Sequence, residues 1–423
     1  MAVMSAMRTT ILNSEALTRD EAKSARREVQ RHKRTAFFLV APLLVFITLS
    51  FVVPIGTMLY RGVHNPAVAE LIPETLELLE DWDGKQVPSS RVMTSLALDL
   101  QRLAKIRRSG KLAEEINRAR PGMSSIIKSS ARKMKKTPQD ELVNSGAAHL
   151  LNAHKAWADV KIWRAIKSVG GVYSARNYLK SLDLERNFDG EIQVRKATKI
   201  YLQLYGKTLK IALYITLLCL ILGYPLAYFL ANIPSKLSNL LMIFVLLPFW
   251  TSLLVRTTAW IALLQTNGVI NSFFMGIGLT TEPLDMLYTR FATIIAMTHI
   301  LLPFMILPLY SVMKGIDASY MRAAMSMGAR PMRAFFTVYL PNTLPGLSAG
   351  ALLVFIISVG YYITPALVGG TDGQMISNII AFHMQQSNNW GLAAALGTLL
   401  LAVILTLYWV YDRLVGSNNI KLG

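Results

Sequence analysis

With one cysteine, Cys219, in 423 residues, the chain has no partner for an intrachain disulfide and no thiol cluster for zinc. Charge is also scarce: Asp, Glu, Lys and Arg make up 16% of the residues and hydrophobic side chains 53%, for a mean hydropathy of +0.39. A soluble chain of that balance would be left with apolar surface it could not bury. Nucleotide loops fail on missing glycines. Gly206-Lys207-Thr208 ends like a Walker A loop, but the first glycine of that loop would have to stand at Tyr201. Gly276 and Gly278 are followed by Thr281 where a dinucleotide fingerprint needs a third glycine. His299 has no second ligand at a helical step, so packing or hydrogen bonding is expected of it ahead of metal binding. The chain is expected to be no enzyme, with no catalytic residue, metal or cofactor of its own.

The apolar residues are bunched into windows long enough to cross a bilayer, about 20 residues each, at 36–60, 208–231, 240–264, 291–313, 346–364 and 390–411. Six spans, and an all-α polytopic membrane protein, follow. A cleavable signal is not expected at 36–60: the basic stretch before it is too long, the apolar run exceeds a signal core, and no small-residue cleavage pattern follows. Before it, Thr18 and Glu21 have capping-box spacing and open a charged, solvated helix through Arg34.

Short loops set the orientation. The first 34 residues carry eight Lys or Arg; Lys236 follows the second span; Lys314, Arg322, Arg330 and Arg333 lie between the fourth and fifth; Arg413 and Lys421 are in the tail. The loops 265–289 and 365–389 hold Glu282, Asp285 and Asp372 and no Lys or Arg, with Arg290 directly after the first of them. The positive-inside rule then makes both termini and the segment after the fourth span cytoplasmic. The segment 61–206 carries 25 Lys or Arg against 16 Asp or Glu, yet parity places it outside, because long translocated domains obey the charge rule poorly. Its basic clusters lack the aromatic interleaving of a nucleic-acid surface and read as solvated helix faces, so no nucleic acid is expected as a partner.

This insert is long enough to hold a small core of its own. Over 90–110 the apolar positions Met93, Leu96, Leu100 and Leu103 recur at helical steps with Arg102, Lys105, Arg107 and Arg108 between them, bounded by Pro88 and Gly110. A second helical stretch is expected over 140–169, stopped by Gly170 and Gly171, and 66–88 reads as an acidic loop-rich region. Part of the basic surface is expected to face a partner or anionic headgroups.

The densest signal lies at 317–341. Ser319 can cap a helix that Gly328 stops, and Pro331 suits the first turn of a second helix running toward Leu340 and Pro341. Ala323 and Ala324, Gly328 four residues on, and Val338, Leu340 and Pro341 beyond it resemble the EAA loop of ATP-binding-cassette (ABC) importer permeases, with Arg322 where that family has Glu and Val338 where it has Ile. The likeness continues in Gly223-Tyr224-Pro225-Leu226-Ala227-Tyr228, in Leu247-Pro248-Phe249-Trp250-Thr251-Ser252 with Arg256 and Trp260, and in Leu302-Pro303-Phe304 through Tyr310. Those stretches are similar to permeases of spermidine/putrescine-type importers, from residue 208 to the C-terminus. The long insert departs from that subfamily's short first loop, which puts the solute in doubt.

The resemblance implies the type I ABC importer permease fold: a cytoplasmic basic helix (1–35), a first span (36–60), an extracytoplasmic domain (61–206), a permease core (207–413) containing the coupling loop (314–341), and a cytoplasmic tail (414–423). It implies ATPase coupling through Arg322, Ala323, Ala324, Gly328, Leu340 and Pro341. Implied partners are a cytoplasmic ATPase dimer, a second permease or second copy of this chain, an extracytoplasmic solute-binding protein and the lipid of a bacterial inner membrane. Pathway candidates are Trp250, Arg256, Trp260 and Tyr361. Arg256, the charge clearly inside a span, is expected either to line the cavity or to snorkel outward. Prolines 225, 248, 303 and 308 are expected to kink their spans or to shape static packing. The solute suggested is a polyamine, an amino-acid-like or another small polar molecule. A secondary transporter or channel is the rival, although ionisable relays and broken half-helices would be usual for it.

Overall fold

The computed structural model describes residues 19–186, 191–195 and 199–413, with the backbone alone over 19–30. Thr18 of the expected capping box and the tail 414–423 lie outside the described residues. Two compact units emerge, Met1–Tyr60 and Arg61–Gly423. In the first, α1 (Arg19–Ile47) passes through a π-helical turn, Thr48–Val52, into α2 (Val53–Val63). Pro54 has no N–H to give, and the wider turn just before it closes through Val53 N–H onto the Thr48 carbonyl. The apolar stretch Arg31–Val63 has a mean hydropathy of 2.7 and none of its spanning window is buried. Phe37, Phe46 and Leu49 among others stand exposed. A helix apolar on all sides is suited to lipid or to a helical partner.

In the second unit the insert is helical almost throughout: α3 (Ala67–Leu71), α4 (Pro73–Glu80), α5 (Ser90–Lys105), α6 (Ser109–Ala119), α7 (Met123–Met134), α8 (Gln139–Ala153), a 3-10 turn (Lys155–Ala158), α9 (Val160–Gly170), α10 (Arg176–Ser181) and a small antiparallel hairpin, β1 (Leu184–Arg186) with β2 (Ile192–Val194). Leu96, Leu100 and Leu103 of α5 are fully buried, as their spacing predicts. Three expectations are corrected. The region 66–88, expected to be loop-rich, is helical over α3 and α4, with Pro73 in the first turn of α4 where its missing N–H costs nothing, and irregular only from Asp81 onward. The helix expected over 90–110 stops at Lys105; Arg107 takes φ 57° and Gly110 falls inside α6. The stretch 140–169 is α8, the 3-10 turn and α9, divided where His154 adopts an extended backbone. Trp157 and Trp163 anchor the core with ring centroids 5.6 Å apart, and both indole N–H groups are satisfied, donating to Ser130 Oγ (2.8 Å) and the Trp157 carbonyl (2.9 Å).

The membrane part comprises α11 (Tyr201–Asn232), α12 (Ser235–Trp250), α13 (Leu253–Leu264), α14 (Val269–Gly276), α15 (Arg290–Lys314), α16 (Ala318–Ser326), α17 (Pro331–Ala334), a π-helical turn (Phe335–Tyr339), α18 (Leu340–Gly360), α19 (Ile363–Val368), α20 (Ile376–Gln385) and α21 (Trp390–Tyr411). Among the described residues five helices, Arg31–Val63 and four in this part, are individually long and apolar enough to cross, and the count reaches six with the pair Ser235–Trp250 and Leu253–Gly276, bent by 96°, taken as one. The third span is therefore not the continuous helix expected over 240–264. Helices α11 and α15 run parallel: Cys219 Sγ faces the Thr298 carbonyl, the Lys314 ammonium reaches the Ala231 carbonyl at the far end, and Asp372 joins Lys207 (3.8 Å) to Arg290 (2.9 Å) at the near end. The chain between two parallel helices must return to its starting face, and the bent pair makes that return. The fifth span, expected over 346–364, begins at Pro331 and ends at Gly360. It lies antiparallel on α15, so closely that a Cβ on Gly346 would sit 2.8 Å from the Pro308 carbonyl and 2.9 Å from Val312 Cβ.

The insert is latched to the near end of this bundle. Asp183, itself buried, accepts the first free N–H groups of α11 from Ile200, Tyr201 (both 3.2 Å) and Leu202 (2.9 Å). Arg118 donates to the Ser387 and Asn388 carbonyls, and Arg61 lies 5.7 Å over the Trp390 ring. The segments 265–289 and 365–389, expected as plain loops, hold α14, α19 and α20. Asn378 pins the second of these, donating to the Tyr362 carbonyl (2.7 Å) and accepting from Met375 N–H (3.0 Å).

Candidate functional site

The 317–341 corner sits at the end of the bundle opposite the insert, since it follows the far end of α15. Its first helix is capped by Asp317, whose carboxylate accepts from Ser319 N–H at 2.7 Å, so Ser319 is not the cap its position suggested. That bond, with the field of Arg322 adding to it, holds the Asp317 carboxyl below the usual range. Gly328 ends α16 with φ 90°, in the left-handed region, and nothing lies within 4 Å of the Cβ it lacks. Pro331 opens α17 as expected. The second helix does not stop at Pro341 but runs through the π-turn into α18, so the corner and the fifth span are one lever.

Of the expected coupling residues, Arg322, Ala323, Gly328 and Pro341 are exposed, Leu340 is half-buried and Ala324 is buried. Sequence reasoning missed the apolar side chains on the same surface: Met327 is 83% exposed and Met332 70%, flanked by exposed Tyr320, Met325 and Phe336. Two highly exposed methionines on a short basic corner form an adaptable apolar patch. Behind the patch the π-turn is bound to α11 by aromatic contacts, Phe335 to Tyr228 at 5.7 Å, Tyr339 to Tyr228 at 5.2 Å and Phe335 to Tyr224 at 6.2 Å, while Tyr224 OH meets Thr343 Oγ1 at 3.2 Å. Packed rings thus join the corner to α11.

The pathway candidates divide. Trp260 Nε1 donates to His299 Nδ1 (3.3 Å), and the field of Arg256 reaches His299 and Tyr361. Arg256 is half-buried, and its Nε has no hydrogen-bond partner among the described residues. Thr257 and Thr364 meet at 3.4 Å beside this group, and the Tyr361 carbonyl accepts from Ser377 (2.6 Å). Trp250 stands apart at the end of α12, 73% exposed, with no hydrogen bond or ring contact to the other three among the described residues. His299, expected to pack or to hydrogen-bond, accepts the bond that ties Trp260 to the group, and no His, Cys, Asp and Glu cluster able to hold a metal occurs among the described residues.

The sequence matches the family model of the binding-protein-dependent transport system inner membrane component over residues 223–417. The spermidine/putrescine transport system permease protein PotB of Escherichia coli (strain K12) is 36% identical over 222 residues, 52% of this chain and 81% of that protein. The inner membrane ABC transporter permease protein YdcU of the same strain is 33% identical over 228 residues, 50% of this chain and 71% of that one. The molybdenum transport system permease protein ModB of Mycobacterium bovis is 30% identical over 189 residues, 44% and 70% of the two chains.

Proposed function

The chain belongs to the binding-protein-dependent transport system inner membrane component family, and we propose that its 317–341 corner is where separate ATPase subunits drive the bundle. It is a multi-pass inner-membrane permease subunit of an ABC importer, a membrane permease and not a member of a catalytic family. Its partners are the ATPase subunits and an extracytoplasmic solute-binding protein. The observation that carries the coupling reading is the exposed Met-rich corner, bound through Phe335 and Tyr339 to α11 and lying at the opposite end from the insert. Gly206-Lys207-Thr208 lies inside the continuous helix α11, which leaves no loop to cradle a phosphate, so ATP hydrolysis is assigned to the partners.

In this reading, closure of the ATPase dimer on ATP draws the corner of this chain and that of its partner permease together. The lever formed by the π-turn and α18 tilts against α11 and α15 and opens the pathway on the insert side, where the binding protein delivers its solute. Hydrolysis resets the corners. The driving free energy is the difference in ATP affinity of the ATPase dimer between the two states. Residues 61–206 then face outside, guarding the entrance.

The relatives named for spermidine and putrescine make a polyamine the first candidate solute. A second reading, an anionic or zwitterionic solute, is favoured by Arg256, whose unpaired Nε sits among Trp260, His299 and Tyr361. Co-purification from native membranes tests the assignment. ATPase subunits and a second permease should accompany the tagged chain; a chain that purifies alone and moves solute on an ion gradient refutes it. With the complex in hand, Arg256→Gln separates the solute readings. Uptake of putrescine unchanged by the substitution removes Arg256 from the pathway.

A further inference from the structure

The insert contains a second feature that transport does not require. A cavity of about 800 Å³ opens between α9, α10 and the hairpin, and eight of its lining residues are Lys or Arg against two acidic ones, Asp83 and Glu185. A neighbouring cavity of about 540 Å³, beside Trp390, shares Arg118, Arg176 and Lys180 with it. Such volumes suit a small ligand.

Few of these charges are neutralised. Arg118 is held by Glu114 (2.8 Å) and Glu115 (2.6 Å). Arg164 and Lys167 meet backbone carbonyls, Gly84 for the first and Glu80 and Trp82 for the second, which satisfy their donors without cancelling their charge. Among the described residues no ion pair reaches Arg176, Lys180, Arg186 or Arg195. Arg176 keeps a buried Nη1 with no hydrogen-bond partner. Lys180 is pushed down to about 8 by burial and by the fields of Arg195, Arg176 and Arg118. A guanidinium with one buried donor left unsatisfied and a crowded ammonium, both lining one cavity from the same short helix, are an arrangement that an oxyanion relieves and that an empty or cationic cavity does not.

We propose that the insert binds a phosphate-class oxyanion in this cavity, held chiefly by Arg176 and Lys180 with Arg186 and Arg195 around it. The guanidinium of Arg176 offers two donors to one phosphate group, and Lys180 adds a point charge. Two sources share this chemistry, a soluble phosphate compound and the phosphate of an anionic lipid headgroup, since the cavity lies in the domain latched to the near end of the bundle. The site stands or falls on binding alone, whatever solute the permease moves.

The test uses the purified full chain in phosphatidylcholine nanodiscs, titrated calorimetrically with inorganic pyrophosphate. One-to-one binding is expected, weakened about tenfold or more in Arg176→Gln and in Lys180→Gln, because each removes a charge-assisted contact. Lys135→Gln, remote from the cavity, should bind as the wild type does. Repeating the titration in nanodiscs containing phosphatidylglycerol identifies the source: loss of pyrophosphate binding assigns the site to headgroups, retention assigns it to a soluble ligand, and either supports the proposal. Unchanged affinity in both Gln variants overturns it. Absence of wild-type binding in phosphatidylcholine also overturns it, including the case in which the basic surface instead captures an acidic binding protein.

Discussion

Substituting Gly328 isolates the geometry of the corner from its packing. The residue has φ 90° and no atom within 4 Å of a built Cβ, so a side chain there meets no clash and the whole penalty is backbone strain. That strain is about 1 to 2 kcal/mol for an L-residue in the left-handed region, and it is larger for a β-branched side chain. The about 0.4 to 1 kcal/mol that losing glycine's freedom takes from the unfolded chain does not offset strain at a positive φ, so alanine should already impair the turn and β-branched valine should impair it further. A bias of 1 to 2 kcal/mol changes the population of the native turn by a factor of about 5 to 30. The bundle core is untouched, and membrane levels should stay normal. The assay is binding-protein-stimulated ATP hydrolysis by the reconstituted complex, with stimulation expected in the order wild type, Gly328→Ala, Gly328→Val. Full stimulation in Gly328→Val would show that the corner is an ordinary hairpin.

The remaining predictions concern charge and anchoring. Arg322→Glu, on an exposed side chain, should weaken stimulation of the ATPase without preventing assembly, since an exposed ion pair is worth about 1 kcal/mol or less; pull-down of the ATPase subunits at rising salt checks this. Asp183→Ala removes the acceptor for three N–H groups at the start of α11 and should cost about 1 to 3 kcal/mol, read as a lower midpoint of thermal unfolding and faster proteolysis between insert and bundle. His383 is held down to about 4 by burial and by Lys180 and Arg118. The unfolded chain therefore takes up the proton first, and stability present above the ordinary value of 6.5 is lost as pH falls toward 4. A flattening of this pH dependence in His383→Gln is expected, and an unaltered profile counts against the burial of the ring.

Much of this was legible in the residues. Apolar runs of this length marked the spans because lipid leaves such a run no better structure than a helix, and Gly328 with Pro331 marked the corner because glycine admits the left-handed turn and proline presets φ for the next helix. Other features rest on contacts that spacing does not encode. The 96° bend between Trp250 and Leu253 falls inside an apolar run, where Pro248 signals a kink and only Thr251 and Ser252 mark a full break. Asp317 and Ser319 are both capable caps, and two residues separate the right reading from the wrong one. Asn378 organises 365–389 through backbone groups on either side of it. The aromatic link from Phe335 to Tyr228 joins residues more than a hundred positions apart, and the cations of the insert cavity are drawn from five segments between Lys85 and Arg195.

The coupling of this corner to an ATPase is tested most directly by covalent capture. Met327, 83% exposed at the corner, is replaced by cysteine in a Cys219→Ser background and loaded with a photoreactive thiol reagent in native membranes. Illumination should join the chain to one polypeptide, which carries a Walker A loop and hydrolyses ATP, and bound nucleotide should alter the yield. Capture of lipid alone, or of proteins without a nucleotide site, would contradict the account.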